Sequence, residues 1–386
     1  MEIKQIHAVV QDALKEALGE TALLNEDLSN VVSMGDTLTN ANAYETYVRA
    51  LVNRIGKTIF VDRQYKGRAP KVLMDSWEYG SIAQKISGDL PNVITIDESW
   101  DLQDGSSYDP NVFNAPNGIK AKVFNGLTTF EIDRSIVDRQ LKQSFTSAYE
   151  MNRFIEMLFT LVNNALTLAT EQLIMRTINN MIGVTFKQEY AGAEANTKSG
   201  VRAINLLYKY NQEYGTSMTK EVAIKNADFL KFASAEIGVD ISHLQNYSTL
   251  FNNGGAQRFT PKDELHVVML DTFVKYTATY LQADTFNKDL LALPNAEEIG
   301  YWQGSGTSFA IGDTSKINIK TSKGDNVQLD YIIGCAFDRN CLGVSLFDRR
   351  VKTHYNEKGE FTNYFYKQEA RYFSDENENF IFWYLA

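Results

Sequence analysis

AYEMNRFIEMLFTLVNNALTLATEQLIMRTINNMI, Ala148–Ile182, contains neither Pro nor Gly. Its apolar residues Met151, Ile155, Leu158, Val162, Leu166 and Leu173 recur at helical spacing, which predicts one helix of about 50 Å at a rise of about 1.5 Å per residue. Ser147 followed by Glu150 has the form of a capping box, and Gly183 stands where the helix is expected to end. An average globular helix is about a third of this length, so this one needs a large surface to lie against. Three uses compete: a coiled coil, a membrane span, or the rib of an extended domain. The longest uncharged run, Met157–Thr170, is about 14 residues against the roughly 20 of a span, and it includes Asn163 and Asn164. The apolar positions hold no strict heptad. A rib is the expectation, with Ile155, Leu158, Val162, Leu166 and Leu173 as its core face.

On the N-terminal side, Ile119–Ile136 alternates at Ile119, Ala121 and Val123 and again at Thr128, Phe130 and Ile132, a strand pattern. A partly alternating run, Trp77–Ile86, lies before it, and Lys57–Asp62 and Lys71–Asp75 also read as strands. Between the two arms of this pattern runs Ser87–Gly118, which holds three of the six prolines and the acidic group Asp97, Glu98, Asp101 and Asp104. A structureless insert longer than about 15 residues is functional or extends off the body, so two strands flanking it predict a projecting hairpin. Val137–Phe145 reads as a short helix leading into the rib. Further upstream, Ile3, Ile6, Val10, Leu14 and Leu18 form a thin amphipathic stripe. Leu24–Asn42 has few large anchors and predicts an extended arm, and Tyr44–Ile55 is helical up to Gly56.

Beyond the rib, Val184–Ser199 is polar and expected to be exposed. Helices are expected at Gly200–Tyr214 and Asn226–Glu236, with a strand at Glu221–Lys225 between them. Leu265–Asp271 (LHVVMLD) has the composition of a buried strand and Thr272–Gln282 that of a helix leaving it. Gly300–Gly312 reads as a flexible loop, and Lys316–Thr321 and Asp325–Asp330 as strand edges. The final stretch is the most β-like: Tyr331–Phe337, Leu342–Phe347, Val351–His354, Phe361–Phe373 and Phe380–Leu385, with turns at Asn356–Gly359 and Asp375–Asn377.

Chemistry is sparse. The hydrophobic fraction of 44% and charged fraction of 22% are those of a folded protein, and a net charge of −10 argues against a dedicated nucleic-acid binder. The basic residues Arg134, Arg139 and Lys142 read as a solvated helix surface. The two cysteines, Cys335 and Cys341, are too few for a disulfide framework and suit separate strand positions in a reducing compartment. MEIKQIHAVV lacks the apolar core of a signal peptide, so a soluble intracellular product is expected. The four histidines, His7, His243, His266 and His354, have no zinc spacing. There is no G-x-S-x-G elbow, and the glycines between Gly300 and Gly312 do not match a phosphate loop. A carboxylate pair within Asp97–Asp104 allows a carbohydrate-active enzyme as a distant alternative. No catalytic residue, metal site or cofactor is assigned.

The order of arm, hairpin, rib, mixed α/β region and β-rich end resembles the major capsid proteins of tailed bacteriophages, the Hong Kong 97-type coat fold, an α+β class. The resemblance is carried by CAFDRNCLGVSLFDRRVKTHYNEKGEFTNYFYKQEARYF with FIFWYL, where short strands surround an Asp-Arg-Arg turn and a long strand carries an Arg. It is carried also by LHVVMLDTFVKYTATYL with LLALP (Leu290–Pro294). VNRIGKTIF (Val52–Phe60) and DRQLKQSF (Asp138–Phe145) are similar to segments of small short-tailed phages, once grouped as Picovirinae.

The resemblance implies an N-terminal arm and helix over 1–56 and an E-loop hairpin over 57–136. It implies a P-domain over 137–200 with its spine helix at 148–182, an A-domain over 201–334, and a closing P-domain sheet over 335–386. It implies that Leu90, Trp100, Tyr108 and Phe113 of the E-loop meet a neighbouring subunit. Hexamers and pentamers would form an icosahedral shell around double-stranded DNA, without sequence-specific binding and without a membrane. A portal and a scaffolding protein would be its partners, and it would be built in the host cytoplasm and end in the virion. Some relatives crosslink Lys to Asn between subunits; Lys85, Lys120 and Lys122 lie near the loop with nothing to activate them, so no crosslink is expected. An encapsulin-like shell is the near alternative.

Overall fold

The computed structural model describes residues 3–20, 22–25, 29–30, 33–34, 36–37, 43, 46–47, 50, 63–72, 83–88, 90, 119–137, 148–190, 193–284, 296–304 and 310–386. The expected strands Lys57–Asp62 and Lys71–Asp75, the helices Tyr44–Ile55 and Val137–Phe145, the Ser147 cap, and the insert with Trp100, Tyr108 and Phe113 fall wholly or mostly outside these residues. The elements are α1 (Ile3–Leu18), β1 (Ala83–Gly88), β2 (Ile119–Phe124), β3 (Gly126–Val137), α2 (Ala148–Glu189), β4 (Ala203–Asn205), α3 (Leu206–Tyr214), α4 (Lys220–Ala223) and α5 (Ala227–His243). They continue with β5 (Leu265–Leu270), α6 (Asp271–Asp284), β6 (Glu297–Ile299), α7 (Ile311–Thr314), β7 (Ile317–Lys320), β8 (Asn326–Leu329), β9 (Ile332–Asp338), β10 (Leu342–Asn356), β11 (Phe361–Ser374) and β12 (Phe380–Tyr384).

The chain divides into two compact units, and β3, α2, β10 and β11 each run from one into the other. The first unit takes Met1–Lys66, Glu131–Leu166 and Arg350–Lys367. Here α1 packs Val10, Leu14 and Leu18 of its stripe on Ala22 and Leu24. The Gln11 amide donates to Ala22 O at 2.6 Å and accepts from Leu24 N–H, so the backbone groups beside the helix find partners. Leu24, expected in an unanchored arm, is therefore a buried contact. Asn164 of α2 accepts from Tyr65 N–H at 2.8 Å and donates to Arg63 O at 2.7 Å. That amide holds residues 63–65 to the helix.

The second unit takes Gly67–Phe130, Thr167–Arg349 and Gln368–Ala386 and contains the main core. Its five-stranded sheet has the order β4-β12-β9-β5-β6. β12 pairs antiparallel with β9, with Phe380 opposite Phe337 and Phe382 opposite Cys335, and parallel with β4. β5 pairs antiparallel with β9 and parallel with β6. Every residue of β9 and β12 is buried, which is why these strands read as unbroken apolar runs rather than alternating ones. Polar edges of large core side chains have partners: Trp383 Nε1 donates to Asp240 Oδ2 at 2.8 Å, and Trp302 Nε1 donates to Ile332 O at 2.9 Å.

Several expectations are corrected. α2 does not stop at Gly183 but continues to Glu189, carrying buried Val184 and Thr185 into the stretch expected to be exposed. Gly183 is a packing residue: a Cβ there would come 2.9 Å from Thr321 Cγ2 and 3.2 Å from Ile319 Cδ1, on or beside the β7–β8 hairpin. Residues 203–205 form β4 before α3 begins, with the Asn205 side chain capping Tyr208 N–H at 3.1 Å. The run expected as a strand at Glu221–Lys225 begins inside α4, opened by Thr219. α5 runs past Glu236 to His243, with Asn226 as its cap. Trp302, expected in a flexible loop, is fully buried.

The expected Asp-Arg-Arg turn is absent. β10 runs through it as one strand, with Asp348 alone at a φ of 46°, a left-handed conformation that Asp tolerates better than most residues. The change is from buried residues before it to exposed ones after it. The β-rich end is not one closing sheet either: β10 and β11 pair in the order β10-β11-β3, whereas β9 and β12 belong to the five-stranded sheet. Both cysteines are buried and unbridged, and burial pushes both thiols up.

Candidate assembly surface

β1 and β2, the strands flanking the long insert, pair antiparallel from Ala83 opposite Phe124 to Gly88 opposite Ile119. The hairpin expected from their alternation is present at its root. Leu90, just beyond it, is exposed; the rest of the insert lies outside the described residues.

The two faces of this hairpin are the reverse of an ordinary surface ribbon, in which one face packs apolar side chains inward and the other turns polar ones to water. Here the covered face carries Lys85 and Lys122, which are direct cross-strand partners. Like charges placed opposite each other destabilise a strand pair, so something must offset them. Asp375, in the turn between β11 and β12, takes both: Lys85 Nζ lies 2.9 Å from its Oδ2 and Lys122 Nζ 2.9 Å from its Oδ1. Lys85 also reaches Glu378 Oε1 at 2.6 Å and Asn340 O at 3.1 Å. The Asp375 side chain is 3% exposed and that of Glu378 9%. Burial pushes the Asp375 carboxyl up, but the hydrogen bonds from Lys122, Lys85 and the Asn377 N–H outweigh it and hold the group below the usual carboxylate range. The Phe124 and Phe373 rings, 5.1 Å apart between centroids, add an apolar contact at the base.

The uncovered face is mainly apolar, with Gln84 its one polar side chain. Ile86 is 66% exposed, Ile119 76% and Val123 56%. Ile86 faces Ala121 across the pair, and Ile119 and Val123 are its diagonal neighbours. Single exposed apolar residues are ordinary; here three lie together across one strand pair beside the long insert.

Of the residues singled out on the rib, Val162, Leu166 and Leu173 are buried, and Ile155 and Leu158 are half-buried. Phe159 and Leu161, between them, are exposed. Among the described residues no group of His, Cys, Asp and Glu is arranged to hold a metal, and no helix is long and apolar enough to cross a membrane. Asp375 and Glu378 were not recognisable as partners of the hairpin. They lie 253 residues or more from Lys122 and Lys85, and a turn rich in Asp and Asn gives a complete local account of itself.

A sequence profile of Phi29-like phage major capsid proteins matches residues 6–384. The chain belongs to that family. It is a bacteriophage major capsid protein, a structural component that self-assembles into the shell of the virion and not an enzyme. No curated protein matches it. In fold it is similar to a chain of the capsid of Staphylococcus phage Andhra, at 10% identity over 86% of this chain and 88% of that one, with a TM-score of 0.54. It is similar also to a chain in the structure of the head fiber and inner core protein gp22 of native bacteriophage P68, at 10% identity over 86% and 88%, with a TM-score of 0.55. The architecture is the Hong Kong 97-type α+β coat fold expected from the sequence. Nothing supports the encapsulin or carbohydrate-active alternatives.

Proposed function

We propose that this capsid protein builds the icosahedral head of a short-tailed double-stranded DNA phage from hexamers and pentamers. The hairpin with residues 87–118 is its E-loop, lying on a neighbouring subunit. The observation that carries this reading is the outer face at Ile86, Ala121, Ile119 and Val123, which is left exposed among the described residues. Burial of such a face by another copy is the physical reward of assembly. Leu90, Trp100, Tyr108 and Phe113 extend the same contact along the insert. α2 is the spine of the P-domain, with Ile155, Leu158, Val162, Leu166 and Leu173 on its core side, and residues 1–56 form the N-arm. The A-domain takes residues 201–334, but β12 shares its sheet, so the 335–386 segment serves both domains.

A portal and a scaffolding protein complete assembly in the host cytoplasm. DNA is held by confinement, which suits a chain of net charge −10. Deleting Leu90–Asn114 tests the reading: a folded subunit that forms no shells is expected. Shells of normal size and yield would refute it.

A further inference from the structure

We propose that Lys85, Lys122, Asp375 and Glu378 form a charge latch that positions the hairpin with its apolar face turned away from its own subunit. The inference rests on the reading of that face as a shell contact and adds what keeps it available. Left to burial alone, a ribbon with one apolar face would lay that face on the nearest surface of its own chain. The observed orientation is the opposite one, and the ionic cluster accounts for it. Turning the hairpin over would take both lysines from the nearly buried Asp375 and leave Glu378 with Arg258 alone, and unpaired buried charge is strongly disfavoured.

The cluster is more than a chance surface pair, which on its own would contribute little. Asp375 divides its two oxygens between two lysines that would otherwise repel, and its Oδ1 also accepts from Asn377 N–H at 3.1 Å. Glu378 binds Lys85 and lies 3.5 Å from Arg258 Nε. Arg258 Nη1 in turn donates to Gly88 O, at the end of β1, at 3.5 Å. The neighbouring acids have other work: Asp338 accepts from Asn340 N–H at 2.8 Å, and Glu376 pairs with Lys323 at 2.7 Å. Three cations and two carboxylates thus grip the covered face of both strands and the far end of one.

Because the grip is ionic, it can loosen while the apolar core stays intact. Hydrogen exchange on the full-length unassembled subunit, combined with shell yield, tests this. In Asp375→Asn/Glu378→Gln, exchange at 83–88 and 119–124 is expected to rise about tenfold or more, with 332–338 and 380–384 unchanged and shell yield reduced. The conservative Lys85→Arg/Lys122→Arg variant should keep both properties. The charge swap Lys85→Glu/Lys122→Glu/Asp375→Lys/Glu378→Lys should recover both in part. The proposal is overturned if hairpin exchange is unchanged in the neutralised variant, if it rises equally throughout the five-stranded sheet, or if shells form normally from a loosened hairpin. The reading of the hairpin as a shell contact fails on a separate result, normal shells from variants of the apolar face with the latch untouched.

Discussion

The five-stranded sheet and the β1–β2 hairpin solve the same problem in opposite ways. In the sheet, β9 and β12 bury both faces, and the Trp383 indole finds its partner, Asp240, within the same unit. In the hairpin the charged side is covered and the apolar side is open. The first region is complete as a single chain, whereas the second is, on the proposed reading, completed by another copy. Stability and assembly are therefore written in different residues, and substitutions should separate them.

The largest effect belongs to the sheet. Trp383→Ala removes a fully buried indole and strands the Asp240 carboxyl that it hydrogen-bonds. A loss of about 3–5 kcal/mol is expected, read as a lowered denaturant midpoint. A loss below about 1 kcal/mol would mean that the sheet is not the core of its unit. Next is Gly183→Ala. Alanine gains about 1 kcal/mol of helix propensity over glycine, but its Cβ would press on Thr321 and Ile319. Overpacking costs about 1–3 kcal/mol, so a net loss of about 1 kcal/mol is expected, and a net gain would show that the β7–β8 hairpin yields freely.

Acid should sharpen the contrast. The Asp375 pKa is held below its ordinary value, so its ion pairs contribute above the unfolded carboxylate pKa of about 4. That contribution is lost as pH falls through the depressed folded value. The groups around it are Lys85, Lys122, Arg258, Glu378, Asp338 and Cys341. Hydrogen-exchange protection at the hairpin, relative to the intrinsic rate at each pH, should therefore be lost at lower acidity than protection of the sheet. If both regions loosen together, the latch has no separate existence.

Much of the sheet was legible because burial on both faces leaves apolar runs such as LHVVML and FIFWYL. The hairpin was legible from the alternation at Ile119, Ala121 and Val123. The long helix was legible in position but not in length: Gly183 has the signature of a stop, and only the approach of Thr321, more than 130 residues later, explains it. The strand order at the C-terminus was hidden for a related reason. Short apolar strands state that they are buried but not which neighbour they join, and β9 and β10, consecutive in sequence, go to different sheets. The latch was the least legible, since Lys85 and Lys122 look like ordinary surface lysines until the turn at Asp375 is brought beside them.

The smallest effect on stability should accompany a decisive effect on assembly. Ile86→Thr, Ile119→Thr and Val123→Thr keep β-branched side chains and so the preference for strand, and exposed positions usually change stability by no more than about 0.5 kcal/mol each. Sedimentation velocity of the triple variant, under conditions in which the unaltered chain forms shells, is the most direct test of the account. A folded subunit with an unchanged denaturant midpoint that sediments as free subunits or small oligomers is predicted. Shells of normal size and yield would contradict it.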